Sequence, residues 1–414
     1  MTHTSHFVGV VRLAGTSKDL HSAMCPWIAK IVAQSIEGIF DIPASKLAGV
    51  QHVRHARGRD ARSDEREADA ETVGMFSPID MTPWQCRLLG HELRAGGKLQ
   101  QVQTIRMGRR TCLAQDLRDV EFIDMHRHAL RPADADIIAG LMMANRSLTQ
   151  LDLSSNVCTQ GNQGPAFGKA IAKCLIIRAS LTELNLRDNK IGPIGGKVVG
   201  EALAVNTSLK KLDLSKNRLC GVYLEHDTWG KQMGTWNLEG IMAIAGALSG
   251  SSSLTSCNVL QNKMDFAAAK SLVVAVKRKV ISLCGIQSHH REANMNDKDL
   301  NSADAVLLAS DLSKAGVSAS LTVLRLGNNS LQDKGVLSLC KALRSNKYLK
   351  LKSLDLSRNG ISPIGFKSVA VMLAGRCMSS LKHLDIQVNH LDRQNQQILK
   401  QIQRDHANLR DISL

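Results

Sequence analysis

No stretch of eighteen uninterrupted apolar residues occurs in this 414-residue chain, so a membrane-crossing helix is not expected. The opening MTHTSHFVGVVRLAG lacks a basic start followed by a clean apolar core, which argues against secretion and for an intracellular, cytoplasmic protein. Ten cysteines form neither a CxxC pair nor a dense framework. Cys174, Cys340 and Cys377 fall in expected helices and Cys257 stands at a core position, so they read as small buried apolar residues in a reducing compartment.

Catalytic signatures are missing too. GGK occurs at 96–98 and 195–197, but Leu99 and Val198 follow where a phosphate loop needs Ser or Thr, and the upstream glycine is absent. There is no GxSxG elbow, HExxH or EF-hand loop. The His126–Arg127–His128 triplet and the His289–His290 pair have no carboxylate or thiol at ligand spacing and read as surface or turn histidines. The expectation is therefore a non-enzymatic chain with no catalytic residue, cofactor or metal ligand.

What is present is repetition. Residues 181–203 read LTELNLRDNKIGPIGGKVVGEAL, and LKKLDLSKNRL begins again at Leu209. Leu181, Leu184 and Leu186 are spaced for a short strand with one buried face. Ile194, Val198, Val199, Ala202 and Leu203 then recur at the spacing of an amphipathic helix. Matches to LxxLxLxxN start at Val120, Leu148, Leu181, Leu209, Leu254, Val280, Leu321, Leu351, Leu381 and Leu409. A unit of about thirty residues cannot bury its own apolar face and must stack on copies of itself. An asparagine closes most strands, at Asn156, Asn189, Asn217, Asn262, Asn329, Asn359 and Asn389. Its amide both donates and accepts, so it can satisfy backbone groups where the chain turns away. His128 and Ser288 hold that register instead in two units.

Over residues 120–414 this pattern resembles the leucine-rich-repeat family, and its long helical units resemble the ribonuclease-inhibitor-like subclass. The resemblance implies an α/β solenoid, horseshoe-shaped, with parallel strands on the concave face and helices on the convex face. It also implies a protein-binding scaffold. Relatives similar to this chain include activators of the Ran GTPase, which would make it a GTPase-activating protein, and cytoskeletal or axonemal components. The acidic tail of such activators is absent here, and the basic solenoid suits an acidic cytoskeletal surface.

The net charge is +16, from 53 Lys+Arg and 37 Asp+Glu, and residues 120–414 carry +13 of it. Such a field favours acidic partners and weakens with salt. The residue between the last two core positions of each strand is expected to face the concave side: Asp124, Asp152, Asn185, Asp213, Asn258, Cys284, Arg325, Asp355 and Asp385. That column is mainly acidic, while lysines gather in the flanks (Lys210, Lys211, Lys277, Lys279, Lys347, Lys350, Lys352) with no interleaved aromatics. Nucleic acid is therefore not the expected partner; an acidic protein is.

Four segments are expected, three of them before the repeats. Residues 1–48 hold an amphipathic helix, WIAKIVAQSIEGIF at 27–40, suited to docking first on the solenoid itself, otherwise on a partner or a membrane, or serving as a cleaved targeting segment. Residues 49–76 are a charged linker, 77–119 a degenerate capping region in which LQQVQTIRM (99–107) opens the stack, and 120–414 the repeat domain.

Two long repeats break the rhythm. The unit after Asn217 carries about seventeen extra residues within CGVYLEHDTWGKQMGTWN (220–237), with Tyr223, Trp229 and Trp236, half of the protein's four tryptophans. The unit after Val280 is read as carrying a second insertion, QSHHREANMNDKD (287–299), with His289 and Arg291. Both follow a strand, so both are expected on one edge of the stack, where they would form a partner site together with the concave Asp152, Asp213, Arg325, Asp355 and Asp385. The chain stops on LRDISL, from which either a self-cap around residues 390–407 or end-on association is expected.

Overall fold

Most repeats contribute a strand of only three residues, in which a central apolar side chain is buried while its two neighbours mostly stay half-buried or exposed. In the computed structural model these are β5 (Phe122–Asp124), β6 (Gln150–Asp152), β7 (Glu183–Asn185), β8 (Lys211–Asp213), β11 (Ser256–Asn258), β12 (Glu292–Asn294), β13 (Val323–Arg325), β14 (Ser353–Asp355), β15 (His383–Asp385) and β16 (Asp411–Ser413). Two more strands, β9 (Val222–Leu224) and β10 (Gln232–Gly234), form a hairpin within one repeat. The structure describes residues 52–55, 73–76, 104–107 and 110–113. From residue 120 on, it describes the chain apart from 133, 136–137, 140–144, 146, 157–163, 178–179, 225–231, 376–377, 406–407 and 414.

The chain divides into two units, residues 1–120 with 133–146, and residues 121–132 with 147–414. In the first, β1 (His52–His55), β2 (Val73–Phe76), β3 (Thr104–Met107) and β4 (Arg110–Leu113) form a sheet in the order β2-β1-β3-β4. The segment read as a linker, 49–76, thus begins and ends in strands β1 and β2, which pair with each other in parallel. The amphipathic stretch 27–40 lies outside the described residues.

The second unit is the solenoid. Its helices are α1 (Gly164–Ile177), α2 (Gly192–Val205), α3 (Glu239–Gly250), α4 (Phe266–Ala275), α5 (Ser302–Leu312), the short α6 (Ala315–Ser318), α7 (Gln332–Ser345), α8 (Pro363–Leu373) and α9 (Arg393–Asp405). Leu151, Leu184, Leu212, Cys257, Leu324, Leu354 and Leu384 stack through the strand layer, each no more than 2 % exposed. Against them pack helix residues such as Val199, Leu203, Ile244, Leu248, Leu339 and Phe366. The face of α2 differs from the periodicity reading: Ile194 is 53 % exposed, and the buried side is lined by Gly195, Gly196 and Gly200. A Cβ on Gly200 would sit 2.7 Å from the backbone of Ala243, so the glycines set how closely α2 and α3 approach.

Successive repeats are stapled by the asparagines. The side-chain Oδ1 of Asn217 accepts the Asn189 backbone N–H at 2.9 Å, and its Nδ2 donates to the Leu186 carbonyl at 2.8 Å. The Asn217 N–H is taken in turn by Asn262 Oδ1 at 2.9 Å. The same exchange links Asn156 to Asn189 and Asn359 to Asn389. His128, where an asparagine is missing, still has its N–H taken by Asn156 Oδ1. Asn156, Asn189, Asn217, Asn262 and Asn359 are at most 2 % exposed, so each loss would strand buried backbone groups.

The solenoid's sheet is two sheets, ordered β11-β8-β7-β6-β5 and β12-β13-β14-β15-β16. The interruption falls at the unit read from Val280. Only an isolated bridge, Ser256 to Ser282, extends the first ladder, and no helix follows before β12 begins at Glu292. Cys284, expected on the concave face, is 4 % exposed and part of the core. Residues 287–299 are no insertion: they contain β12, in which Ala293 and Met295 occupy the leucine positions and Lys298 the asparagine position.

Two carboxylates fill the gap. Asp311 accepts the N–H of Leu283 at 2.9 Å and of Cys284 at 3.0 Å, and the Ser282 hydroxyl at 2.6 Å, groups that a neighbouring strand would otherwise take. Asp304 accepts the Gln261 N–H through one oxygen and the Asn301 N–H through the other, both at 3.0 Å, closing a capping box at α5. Both are fully buried, and burial, outweighing these donors, raises each carboxyl from 3.8 to about 6. Lys314 and Lys263 oppose that rise at Asp311 and Asp304 respectively.

Two outcomes follow from these contacts. Asn217→Ala leaves at least two backbone groups without partners and is expected to cost about 2–4 kcal/mol in urea denaturation. A folded carboxyl at about 6 binds more protons than its unfolded form across roughly pH 4–6. Its contribution is therefore complete below the unfolded value and lost as pH rises through the folded one, on the order of 3 kcal/mol per group. Thermal melts between pH 4 and 7 should show a smaller slope in Asp311→Asn than in the parent.

Candidate functional site

The hairpin β9–β10 leaves the stack on the rim where the strands end. Its base belongs to the core: Leu219 and Cys220 are inaccessible and Val222 is 2 % exposed. Burial pushes the Cys220 thiol up to about 12, leaving it inert. The turn into the hairpin needs glycine at one position. Gly221 has φ +78°, and a Cβ there would lie 2.2 Å from the Thr235 carbonyl oxygen. Its N–H donates to Arg218 at 2.8 Å, and the Asn237 N–H donates to Cys220 at 3.1 Å, clamping both ends of the insert.

On this base the aromatics are arranged unequally. The Arg218 guanidinium carbon lies 3.6 Å from the centre of the Tyr223 ring, a cation–π contact that fixes a half-buried tyrosine. Trp236 is 46 % exposed. Trp229 lies outside the described residues. His289 and Arg291 do not join them. They are exposed, and they precede β12, which places them on the rim where strands begin, opposite the hairpin. The backbone carbonyl of Arg291 accepts Thr322 N–H at 2.8 Å in the ladder to β13, and the rings of His289 and His290 meet edge to face at 4.6 Å. The expected single insert-bearing edge is thus corrected to one insert and one degenerate repeat, the cause being the weak leucine pattern of β12.

The acidic column lies on the strand faces as expected, and its chemistry is largely internal. Asp213 accepts the N–H and hydroxyl of Ser215 with one oxygen, at 2.8 and 2.6 Å, and the Asn258 amide with the other, at 2.9 Å. Asp152 does the same with the Ser154 N–H and the Asn185 amide, and Asp355 with Ser357 and the Asn296 amide. The LDLS sequence therefore turns the chain out of the strand. Asp385 accepts the Gln387 N–H at 3.0 Å. Arg325 is held by Glu292 at 2.8 Å.

Two open hollows line this face. One, of 300 Å³, lies over β5–β8 and β11 and brings together Asp152, Glu183, Lys211 and Asp213. It also receives Phe122, 53 % exposed, which the sequence reading passed over although it holds the same strand position as Glu183 and Lys211. The second, of 560 Å³, lies over β13–β16 and includes Arg325, Asp355, His383, Asp385 and Asp411. No helix among the described residues is long and apolar enough to cross a membrane.

The Leucine Rich repeat family matches residues 144–157, 179–200, 205–219, 317–340 and 349–370. No curated protein matches. Among solved structures, the chain is similar to the leucine-rich repeat-containing protein LegL7 from Legionella pneumophila, at 18% identity over 71% of this chain and 82% of that one, with a TM-score of 0.35. It is also similar to an internalin (inlF) from Listeria monocytogenes, at 15% identity over 73% and 89%, with a TM-score of 0.29. The family matches lie on both sides of the sheet interruption, and most observed units put leucine inside the strand and asparagine at the turn; the chain carries leucine-rich repeats and folds as a leucine-rich-repeat solenoid.

Proposed function

We propose that this chain is a non-enzymatic, intracellular protein–protein interaction scaffold of the ribonuclease-inhibitor-like kind, binding its partner through the hairpin-bearing edge and the neighbouring concave face. Leucine-rich repeats generally mediate protein–protein interaction, and helices of 10–14 residues in most repeats support the subclass. Five buried free thiols, Cys174, Cys220, Cys257, Cys284 and Cys340, support a reducing cytoplasm. The observation that carries the reading is Trp236. A hairpin clamped into the core at both ends presents a large aromatic side chain to solvent, where it offers contact area at little entropic cost. Tyr223 belongs to the same proposed surface, with Asp152 and Asp213 on the strand faces of the same sheet. His289, Arg291, Arg325, Asp355 and Asp385 belong to the second half of the solenoid.

Because Val222 and Cys220 are buried, removing the whole hairpin would disturb the core, and point substitutions test the reading better. Trp236→Ala should reduce recovery of the partner from native lysate, and weaken the purified complex by roughly tenfold, with the melt unchanged. Equal recovery by parent and variant would move the partner off this edge. Gly221→Ala is the contrasting variant: strain at the hairpin base should lower stability by about 2 kcal/mol or more and weaken binding through unfolding rather than lost contact.

A further inference from the structure

The corrected register of β12 aligns residues that the sequence pattern kept apart. Backbone hydrogen bonds at the strand-start rim run Thr322 to Arg291, Lys352 to Thr322, Lys382 to Lys352 and Arg410 to Lys382. One row therefore reads Arg291, Thr322, Lys352, Lys382, Arg410 across the second sheet, four cations in five positions. The equivalent row of the first sheet, fixed by the same bonds, reads Glu121, Thr149, Thr182, Lys210, Thr255 and carries no net charge. Arg291, Lys352 and Arg410 are exposed and Lys382 half-buried, and Lys347 and Lys350 add charge just upstream of β14.

The carboxylates beside this row are occupied. Glu292 pairs with Arg325 at 2.8 Å and Asp411 with His383 Nδ1 at 2.9 Å. Among the described residues, no ion pair takes up Arg291, Lys352, Lys382 or Arg410. Like charges held at the strand spacing of about 4.8 Å repel one another, and a matching anion relieves that cost.

We infer that this row is a docking rim for an acidic protein segment, lying across the strands of the second sheet. Five strands at that spacing span about 19 Å, the reach of roughly six extended residues. The rim is narrow, since the row stands three residues from the column holding Asp355 and Asp385, about 10 Å along each strand. A peptide fits on the rim alone. A nucleic acid duplex, with phosphate walls about 12 Å apart across its major groove, brings phosphates onto those aspartates. A single strand finds no row of aromatics on which to stack. The inference rests on the protein-binding reading above but uses a different rim, so Trp236→Ala should leave it untouched.

The test is fluorescence anisotropy of a labelled decaglutamate peptide with the full chain at low salt, about 50 mM, repeated near 200 mM. Lys352→Glu/Lys382→Glu is expected to weaken binding by at least about tenfold, while the charge-matched Lys277→Glu/Arg278→Glu at the end of α4 changes it less than about twofold. Lys352→Gln/Lys382→Gln, followed by thermal melt, guards against loss through misfolding and should show an intermediate weakening. Unlabelled oligothymidylate should compete poorly. The inference is overturned by equal loss in both charge reversals, which would mean net charge alone; by absence of peptide binding at low salt; or by oligothymidylate binding more tightly with the same dependence on Lys352 and Lys382. Any of these together with an intact Trp236 effect would leave the hairpin reading standing.

Discussion

Everything in the repeat unit depends on how its buried asparagines spend their hydrogen bonds. A strand of three residues exposes carbonyls and N–H groups as soon as the chain turns, and those turns are buried by the next repeat. One asparagine closes its own turn through Nδ2 and holds the preceding repeat through both Nδ2 and Oδ1: Asn217 donates to the Ser215 and Leu186 carbonyls and accepts the Asn189 N–H. Local folding and stacking are thereby the same event. A repeat that loses its asparagine loses its neighbour as well, which is why the linkage is cooperative rather than a sum of independent turns.

The interruption in the solenoid shows what replaces that device when it fails. Lys298 stands where an asparagine would receive the preceding turn, and the strand series breaks there. The unmet backbone groups go to side chains from the following helix, Asp304 and Asp311. Two fully buried carboxylates are a costly substitute for a ladder, since desolvation opposes their charge even as several donors favour it. They join the two halves, yet the join differs chemically from every other repeat interface. The two halves also differ in what they display, an aromatic hairpin on one rim and a basic row on the opposite rim.

The repeat fold was legible because leucine and asparagine at fixed offsets have no other economical use, and the hairpin was legible because extra length between regular units must leave the stack. The acidic column was legible in position and misleading in meaning: Asp152, Asp213 and Asp355 spend most of their acceptor capacity on their own turns and lateral amides. The second insertion was a misreading with a clear cause. Ala293 and Met295 bury less than the leucines they replace, so the β12 segment looked like loop, while VISLCG supplied a better-looking pattern that belongs to the core edge.

By itself, the sequence determined the kind of unit, its number to within one, and the side chains that line the core, because burial periodicity and turn chemistry are local properties. Which strand pairs with which was decided only by tertiary structure, because a three-residue strand carries too little pattern to fix its own register. That pairing set the side chains brought into one row. Arg291, Lys352, Lys382 and Arg410 are up to 119 residues apart along the chain, and only the hydrogen-bonded ladder from β12 to β16 makes them one surface.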